Sequence, residues 1–163
     1  NITMEYMNIN FVEMINQTTG EFAEKFEKRN LQIVLNVPEK PVMVRTDGRR
    51  MWRVIENIYN NAAKYALEGT RVYADLIEKE HTVEFSLKNI SEQPLNISAD
   101  ELTERFIRGD VSRSTEGSGL GLSIAKNLTE LQGGKFELYL DGDLFKVTIV
   151  FPKAVVGQSV TKS

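Results

Sequence analysis

Asn57, Asn61 and Lys64 are spaced i, i+4 and i+7, which places all three on one face of a helix. Together they offer two amide oxygens and one ammonium. Amide oxygens are hard ligands of the kind magnesium accepts, and magnesium keeps several of its waters. An ammonium suits a phosphate oxygen. Taken alone, this face reads more simply as a solvated polar surface. Asparagine is a poor helix former, however, because its side chain competes for backbone hydrogen bonds. Asn57, Asn60 and Asn61 nonetheless fall within five residues, an odd choice for a merely soluble face.

A second cluster is Glu116-Gly117-Ser118-Gly119-Leu120-Gly121-Leu122. Its glycines alternate, and a helical pattern follows. Glycine lets backbone N–H groups approach an anion closely, and a helix N-terminus adds favourable partial charge. The competing reading is a flexible hinge before a helix. The run is not a Walker loop, since no Gly-Lys-Ser/Thr follows. Nor is it a dinucleotide fingerprint, since no strand of a βαβ unit precedes it.

The elements that must position these residues follow from hydrophobic period. Asn10 to Lys28 is expected to be a helix, with Phe11, Ile15, Thr19, Phe22 and Phe26 on its apolar stripe and Asn10 with Glu13 as a capping pair. Leu31–Val37 and Pro41–Arg45 read as strands. Thr46 or Asp47 is the candidate cap of a helix from Arg49 to Leu67, whose stripe is Ile55, Ile58, Tyr59, Ala62 and Ala66. Arg71–Lys79 and Thr82–Lys88 alternate as a strand pair around Glu80-His81. Asn89 to Glu116 has no sustained period beyond a short helix over Asp100–Ile107, and reads as a functional lid or a disordered stretch. Leu120–Leu131 is helical and closed by Gly133-Gly134. Lys135–Leu140 and Leu144–Phe151 flank the turn Asp141-Gly142. This order implies an α/β (α+β) two-layer sandwich, a mixed sheet with helices on one face.

Bulk properties narrow the function. The 163 residues suffice for one domain with a real core. A net charge of −3 and the absence of a Lys/Arg run argue against nucleic acid as a partner. No cysteine is present, which excludes a disulfide framework and cysteine-ligated zinc. No stretch is long and apolar enough to span a bilayer. The chain begins Asn1-Ile2-Thr3 without an initiator Met, so it is expected to be a piece of a longer protein.

The two clusters, in this order, resemble the nucleotide-binding boxes of bacterial sensor histidine kinases. Arg53 to Ala66 resembles their asparagine box, Arg105-Phe106-Ile107-Arg108-Gly109-Asp110 their phenylalanine box, and Gly117 to Lys126 their second glycine box. The resemblance runs from about Asn8 to Pro152. It implies the Bergerat-type ATP-binding fold shared with gyrase and the Hsp90 chaperones, a mostly antiparallel sheet with about three helices on one face. It also implies a boundary scheme: residues 1–10 as the end of a linker, 11–152 as the ATP-binding domain with a lid near 105–118, and 153–163 as a tail. ATP and Mg2+ are the implied ligands. Asn61 would ligate magnesium, and Asn57 would support the phosphates or the metal. Lys64 would reach a phosphate, and Tyr65 would pack near the adenine or ribose. Gly117, Gly119, Leu120 and Gly121 would wrap the triphosphate, with Arg108 and Arg113 as lid contacts. Arg113 reads equally well as a solvated loop charge.

One departure stands out. The family carries an Asp-x-Gly-x-Gly loop after the second strand of the hairpin, and its Asp accepts a hydrogen bond from the adenine amino group. Here Lys88-Asn89-Ile90-Ser91-Glu92-Gln93-Pro94 puts Asn89 in the Asp position and lacks both glycines. An Asn oxygen still accepts that bond, without charge assistance. Asn89 also reads simply as a turn residue at a strand end.

Hydrolysing relatives place a Glu one turn before the metal-binding Asn. Asn57 occupies that position here, and Glu56 lies about 100° away round the helix, so a self-contained ATPase is disfavoured. His81, the chain's single histidine, falls in a turn and does not fit the family's phosphoacceptor. The expected function is transfer of the ATP γ-phosphoryl group to a histidine on a separate dimerisation segment, within a homodimer that then serves a response regulator. The expected setting is the cytoplasmic side of a membrane-anchored sensor. The alternative is a nucleotide-sensing or interaction module whose catalysis has weakened. A serine kinase of the anti-sigma type ranks last, because of the Phe106-Ile107-Arg108 box.

Overall fold

The computed structural model describes residues 3–94 and 118–155, with only the backbone of 118–121. Its elements are β1 (Tyr6–Asn10), α1 (Phe11–Lys28), β2 (Gln32–Asn36), β3 (Met43–Asp47), α2 (Gly48–Tyr65), β4 (Arg71–Glu78), β5 (Thr82–Ile90), α3 (Ser118–Leu131), β6 (Lys135–Asp141) and β7 (Leu144–Pro152). The main sheet has five strands in the order β2-β4-β5-β7-β6. Only the β2–β4 pair is parallel, so the sheet is mixed and mostly antiparallel, as expected.

Strand alternation explains the two layers. Val72, Ala74 and Leu76 on β4, Val83, Phe85 and Leu87 on β5, and Phe145, Val147, Ile149 and Phe151 on β7 are all buried. With a period of two, these residues share one face of the sheet, and the helices cover it. Aromatic packing fixes α1 and α2 there. Tyr59 of α2 stacks on Phe85 with centroids 6.2 Å apart and planes within 3°. Phe22 and Phe26 of α1 flank Tyr59, and Phe11 sits against Phe85. The Tyr59 hydroxyl lies 2.7 Å from Thr19 Oγ1, and burial pushes the phenol up to about 12, so it stays neutral in the core.

The expected helix caps are present. Asn10 Oδ1 accepts from Glu13 N at the start of α1. Asp47, rather than Thr46, caps α2 by accepting from Arg50 N at 3.2 Å. Within the segment expected as linker, Tyr6–Asn10 forms a strand that pairs antiparallel with β3 in a separate two-stranded sheet. The sequence of β1 lacks a clean alternation, and its order comes from pairing with a partner. The expected helix over Asp100–Ile107 lies outside the described residues.

Asp47, at the end of β3, ties the residue before β1 to the start of α2. Its carboxylate accepts from Glu5 N at 2.9 Å, from Arg50 N, and from Arg50 Nη1 at 2.7 Å. The residue is 2% exposed. The Glu5 bond and the Arg50 contacts outweigh burial and hold this carboxyl below the usual carboxylate range. A carboxyl whose pKa is depressed in the folded state stabilises the fold above the unfolded value, near pH 4, and loses that contribution as pH falls through the folded value. We therefore expect the thermal midpoint to fall on acidification below about pH 4. Asp47→Asn should lower the midpoint at pH 7 but flatten this acid limb, because Asn caps a helix about as well as Asp and cannot titrate. Calorimetric melts from pH 3 to 7 test this; an unchanged acid limb in the variant would count against it.

Candidate functional site

α2 lies between α1 and α3. On the α1 side, Asn60 Oδ1 accepts from Lys25 Nζ at 3.5 Å. Asn61 is turned about 100° from Asn60 and so points away from α1. α3 packs along α2. A buried glutamine sets its direction and register. Gln132 Oε1 accepts from Asp47 N at 2.8 Å, and Gln132 Nε2 donates to Leu128 O at 3.0 Å. The C-terminal end of α3 is thus tied to the first residues of α2, and the two helices run antiparallel. Counting back from Gln132 to Ser118 and forward from Asp47 to Asn61 covers equal lengths of helix, about 21 Å each at a rise of about 1.5 Å per residue. The glycine-rich start of α3 therefore lies level with Asn61.

Gly119, Leu120 and Gly121 fall in the first turn of α3, which begins at Ser118 rather than at Leu120. The first N–H groups of a helix have no partner inside it, and the macrodipole adds partial positive charge there. On the facing helix, Asn57 and Asn61 are half-buried and Lys64 is exposed. Asn57 Nδ2 is buried and has no hydrogen-bond partner among the described residues. Leaving such a donor unmatched costs about 1–3 kcal/mol, and a phosphate oxygen is a matching acceptor. The amide is chemically reversible, so the same position presents its oxygen if the group turns over. These residue types fit a magnesium-bearing triphosphate. Arg108, Arg113 and Gly117 lie outside the described residues.

Tyr65 ends α2 two residues before the expected Leu67, and Gly69, with φ +83°, serves the turn into β4 instead. Ala62 O takes the ordinary helical bond from the cap residue, Ala66 N. The carbonyls beyond it are claimed from elsewhere. Ala63 O and Lys64 O accept from Arg29 Nη1 at 2.9 and 3.0 Å. Tyr65 O accepts from Glu92 N at 2.8 Å, and Leu67 N then donates to Ile90 O at 2.7 Å. A helix end so satisfied needs no left-handed glycine.

Asn89 continues the row Val83-Phe85-Leu87 on the helix-facing side of β5 and is 4% exposed. It thus lies inside the sandwich, beside the end of α2, rather than in an exposed turn. His81 is exposed, in the turn between β4 and β5. Sequence reasoning did not single out Gln132, Arg29 or Glu92 as positioning residues. Each acts across a large sequence separation, and no local pattern marks it.

A family model described as histidine kinase-, DNA gyrase B-, and HSP90-like ATPase matches residues 46–155, from the end of β3 through β7. The chain belongs to this family. Membership implies a nucleotide ligand, and the relatives of this ATPase-family domain are sensor kinases. Sensor protein KdpD of Clostridium acetobutylicum is 33% identical over 148 residues, covering 85% of this chain and 16% of that protein. Sensor protein VanSC of Enterococcus gallinarum is 30% identical over 142 residues, covering 86% of this chain and 39% of that protein. The chain thus spans well under half the length of these curated relatives. Among solved structures, the nucleotide-free catalytic domain of histidine kinase ThkA superposes with a TM-score of 0.80 at 26% identity, over 92% of this chain and 97% of that one. No helix among the described residues is long and apolar enough to cross a membrane.

Proposed function

We propose that this domain binds Mg-ATP between α2 and the start of α3 and transfers the γ-phosphoryl group to a histidine outside it. The single observation that carries the reading is the antiparallel register of α2 and α3, which sets the amide face of Asn57 and Asn61 level with the N-terminal turn of α3. Asn61 would ligate magnesium through its amide oxygen, Asn57 would support the phosphates or the metal, and Lys64 would contact a phosphate oxygen. Gly119, Leu120 and Gly121 would offer backbone N–H groups to the triphosphate, joined by Gly117, Arg108 and Arg113 of the lid. Tyr65 and Asn89 would hold the base and ribose about one turn further on, at the C-terminal end of α2. When bound, magnesium supplies charge neutralisation for the triphosphate.

Phosphoryl transfer demands positioning and charge neutralisation more than covalent help from the protein. In the proposed step a nitrogen of the acceptor imidazole bonds to the γ-phosphorus, the bond to the bridging oxygen breaks, and ADP leaves. His81 is 3.8 Å from Glu80 and exposed in a turn at the strand ends, so the acceptor is taken to be the histidine of a dimerisation segment. A homodimeric sensor anchored in a membrane, signalling to a response regulator, is the whole-protein setting this reading implies. Mixing the domain with a separately made dimerisation segment, labelled ATP and Mg2+ should label that segment's histidine. An unlabelled segment beside folded, ATP-binding domain would instead support the nucleotide-sensing alternative.

A further inference from the structure

The loop after β5 lacks the family's two glycines, yet the structure gives it an anchor of another kind. Arg29, just past α1, reaches to the end of the neighbouring helix α2. Its Nη1 donates to Ala63 O and Lys64 O, and its Nη2 lies 2.7 Å from Glu92 Oε1. Glu92 N in turn donates to Tyr65 O, and Ser91 N donates to Asp143 O at 2.7 Å. A bridge between Ala66 and Ser91 completes the seam. One guanidinium therefore ties α1, the end of α2 and the loop into a single unit.

We infer that Arg29 and Glu92 are positioning residues for base recognition, an inference that rests on the nucleotide-binding reading above. The Arg29–Glu92 pair is partly exposed, and ion pairs of that kind contribute little to stability. Its consequence is geometric. Glu92 lies three residues beyond Asn89, and Tyr65 is held by the backbone of Glu92 itself. Fixing Glu92 on the helix end fixes the spacing between Asn89 and Tyr65, the two groups proposed to meet the base. A glycine loop reaches its bound shape by conformational freedom. This loop is held near one shape beforehand, which lowers the ordering cost of binding. Asn89 would accept the adenine amino group through its amide oxygen, but the same amide turned over donates to a carbonyl, so how firmly Asn89 is set against Tyr65 carries more of the discrimination between adenine and a base that presents a carbonyl there.

The test is equilibrium binding of ATP and GTP, each with and without Mg2+, to the wild type, Arg29→Met, Glu92→Ala and Glu92→Gln. We expect Arg29→Met and Glu92→Ala to lose about tenfold in the preference for ATP over GTP. Glu92→Gln keeps an oxygen for Arg29 and should stay near wild type. The ratio of affinities with and without Mg2+ should not move in any variant, because the metal end of the site is untouched. If Arg29→Met does not fold, Glu92→Ala, at a more exposed position, carries the test. An unchanged ATP-to-GTP ratio in a folded Glu92→Ala, with wild type binding ATP, overturns this inference alone. A wild type that binds neither nucleotide overturns the nucleotide-binding reading instead.

Discussion

Replacing Asn61 with alanine is expected to lower Mg2+-dependent ATP affinity about a hundredfold, the scale on which metal sites respond to loss of a supporting group. The same change should leave the fold intact or slightly firmer. Ala is the best helix former and Asn among the weaker ones, a difference of about 0.6 kcal/mol in a helix interior. That corresponds to a rise of about 2 °C in the thermal midpoint of a domain this size. A residue whose removal strengthens its helix while abolishing a ligand is retained for the ligand. Asn60 is the internal control. It shares the residue type and the helix but bonds Lys25 on the α1 side. Asn60→Ala should gain similar helix propensity and keep wild-type affinity. Titration calorimetry and thermal melts on both variants give the comparison, and equal losses of affinity at Asn60 and Asn61 would remove the basis for assigning a face.

The largest effect on stability is expected at Phe85. Its side chain is fully buried on the central strand and contacts Tyr59 of α2 on one side and Phe11 of α1 on another. Truncation to Ala removes a ring at the meeting point of two helices and the sheet, and such cavities cost about 3–5 kcal/mol. Domains are commonly stable by only about 5–15 kcal/mol, so much of the margin would vanish. Phe85→Leu keeps most of the volume and should cost about 1.5 kcal/mol or less. The consequence for function is indirect. Asn89 lies on the same row of β5 as Phe85, and α2 is seated on that row through Tyr59. Loosening the seat should blur the spacing between Asn89 and α2 before the domain unfolds. Urea unfolding followed by fluorescence checks the ordering. A Phe85→Ala variant as stable as Phe85→Leu would mean that the aromatic stack is not what holds the layers together.

Local pattern was enough to read the helix of Asn57 and Asn61, the β4–β5 and β6–β7 hairpins and the layer architecture. The reason is that apolar period and turn chemistry agree there: Ile55, Ile58 and Tyr59 all turn inward, and Asp141-Gly142 places Gly142 at φ +62° where the turn requires it. What stayed hidden is long-range. β1 carries weak strand character and gains its order from β3. The sequence pattern carries α2 to Leu67 because Gly69 is a natural stop, whereas Arg29 and Glu92 supply the cap from other elements at Tyr65. Gln132, just before Gly133-Gly134, carries no local signal, yet its amide sets the register of α3 on α2. The candidate site was legible as residue types and spacing on single elements. Its assembly was not, because no local rule states which helix lies beside which, or in what direction.

The most direct measurement is a crystal structure of this domain with a non-hydrolysable ATP analogue and Mg2+. The expected result is phosphate and metal density between Asn61 and the first turn of α3, with the base beside Asn89 and Tyr65. Density in the groove of about 620 Å³ lined by Arg53, Ile124 and Leu131, at the opposite end of the α2–α3 seam, would contradict the account.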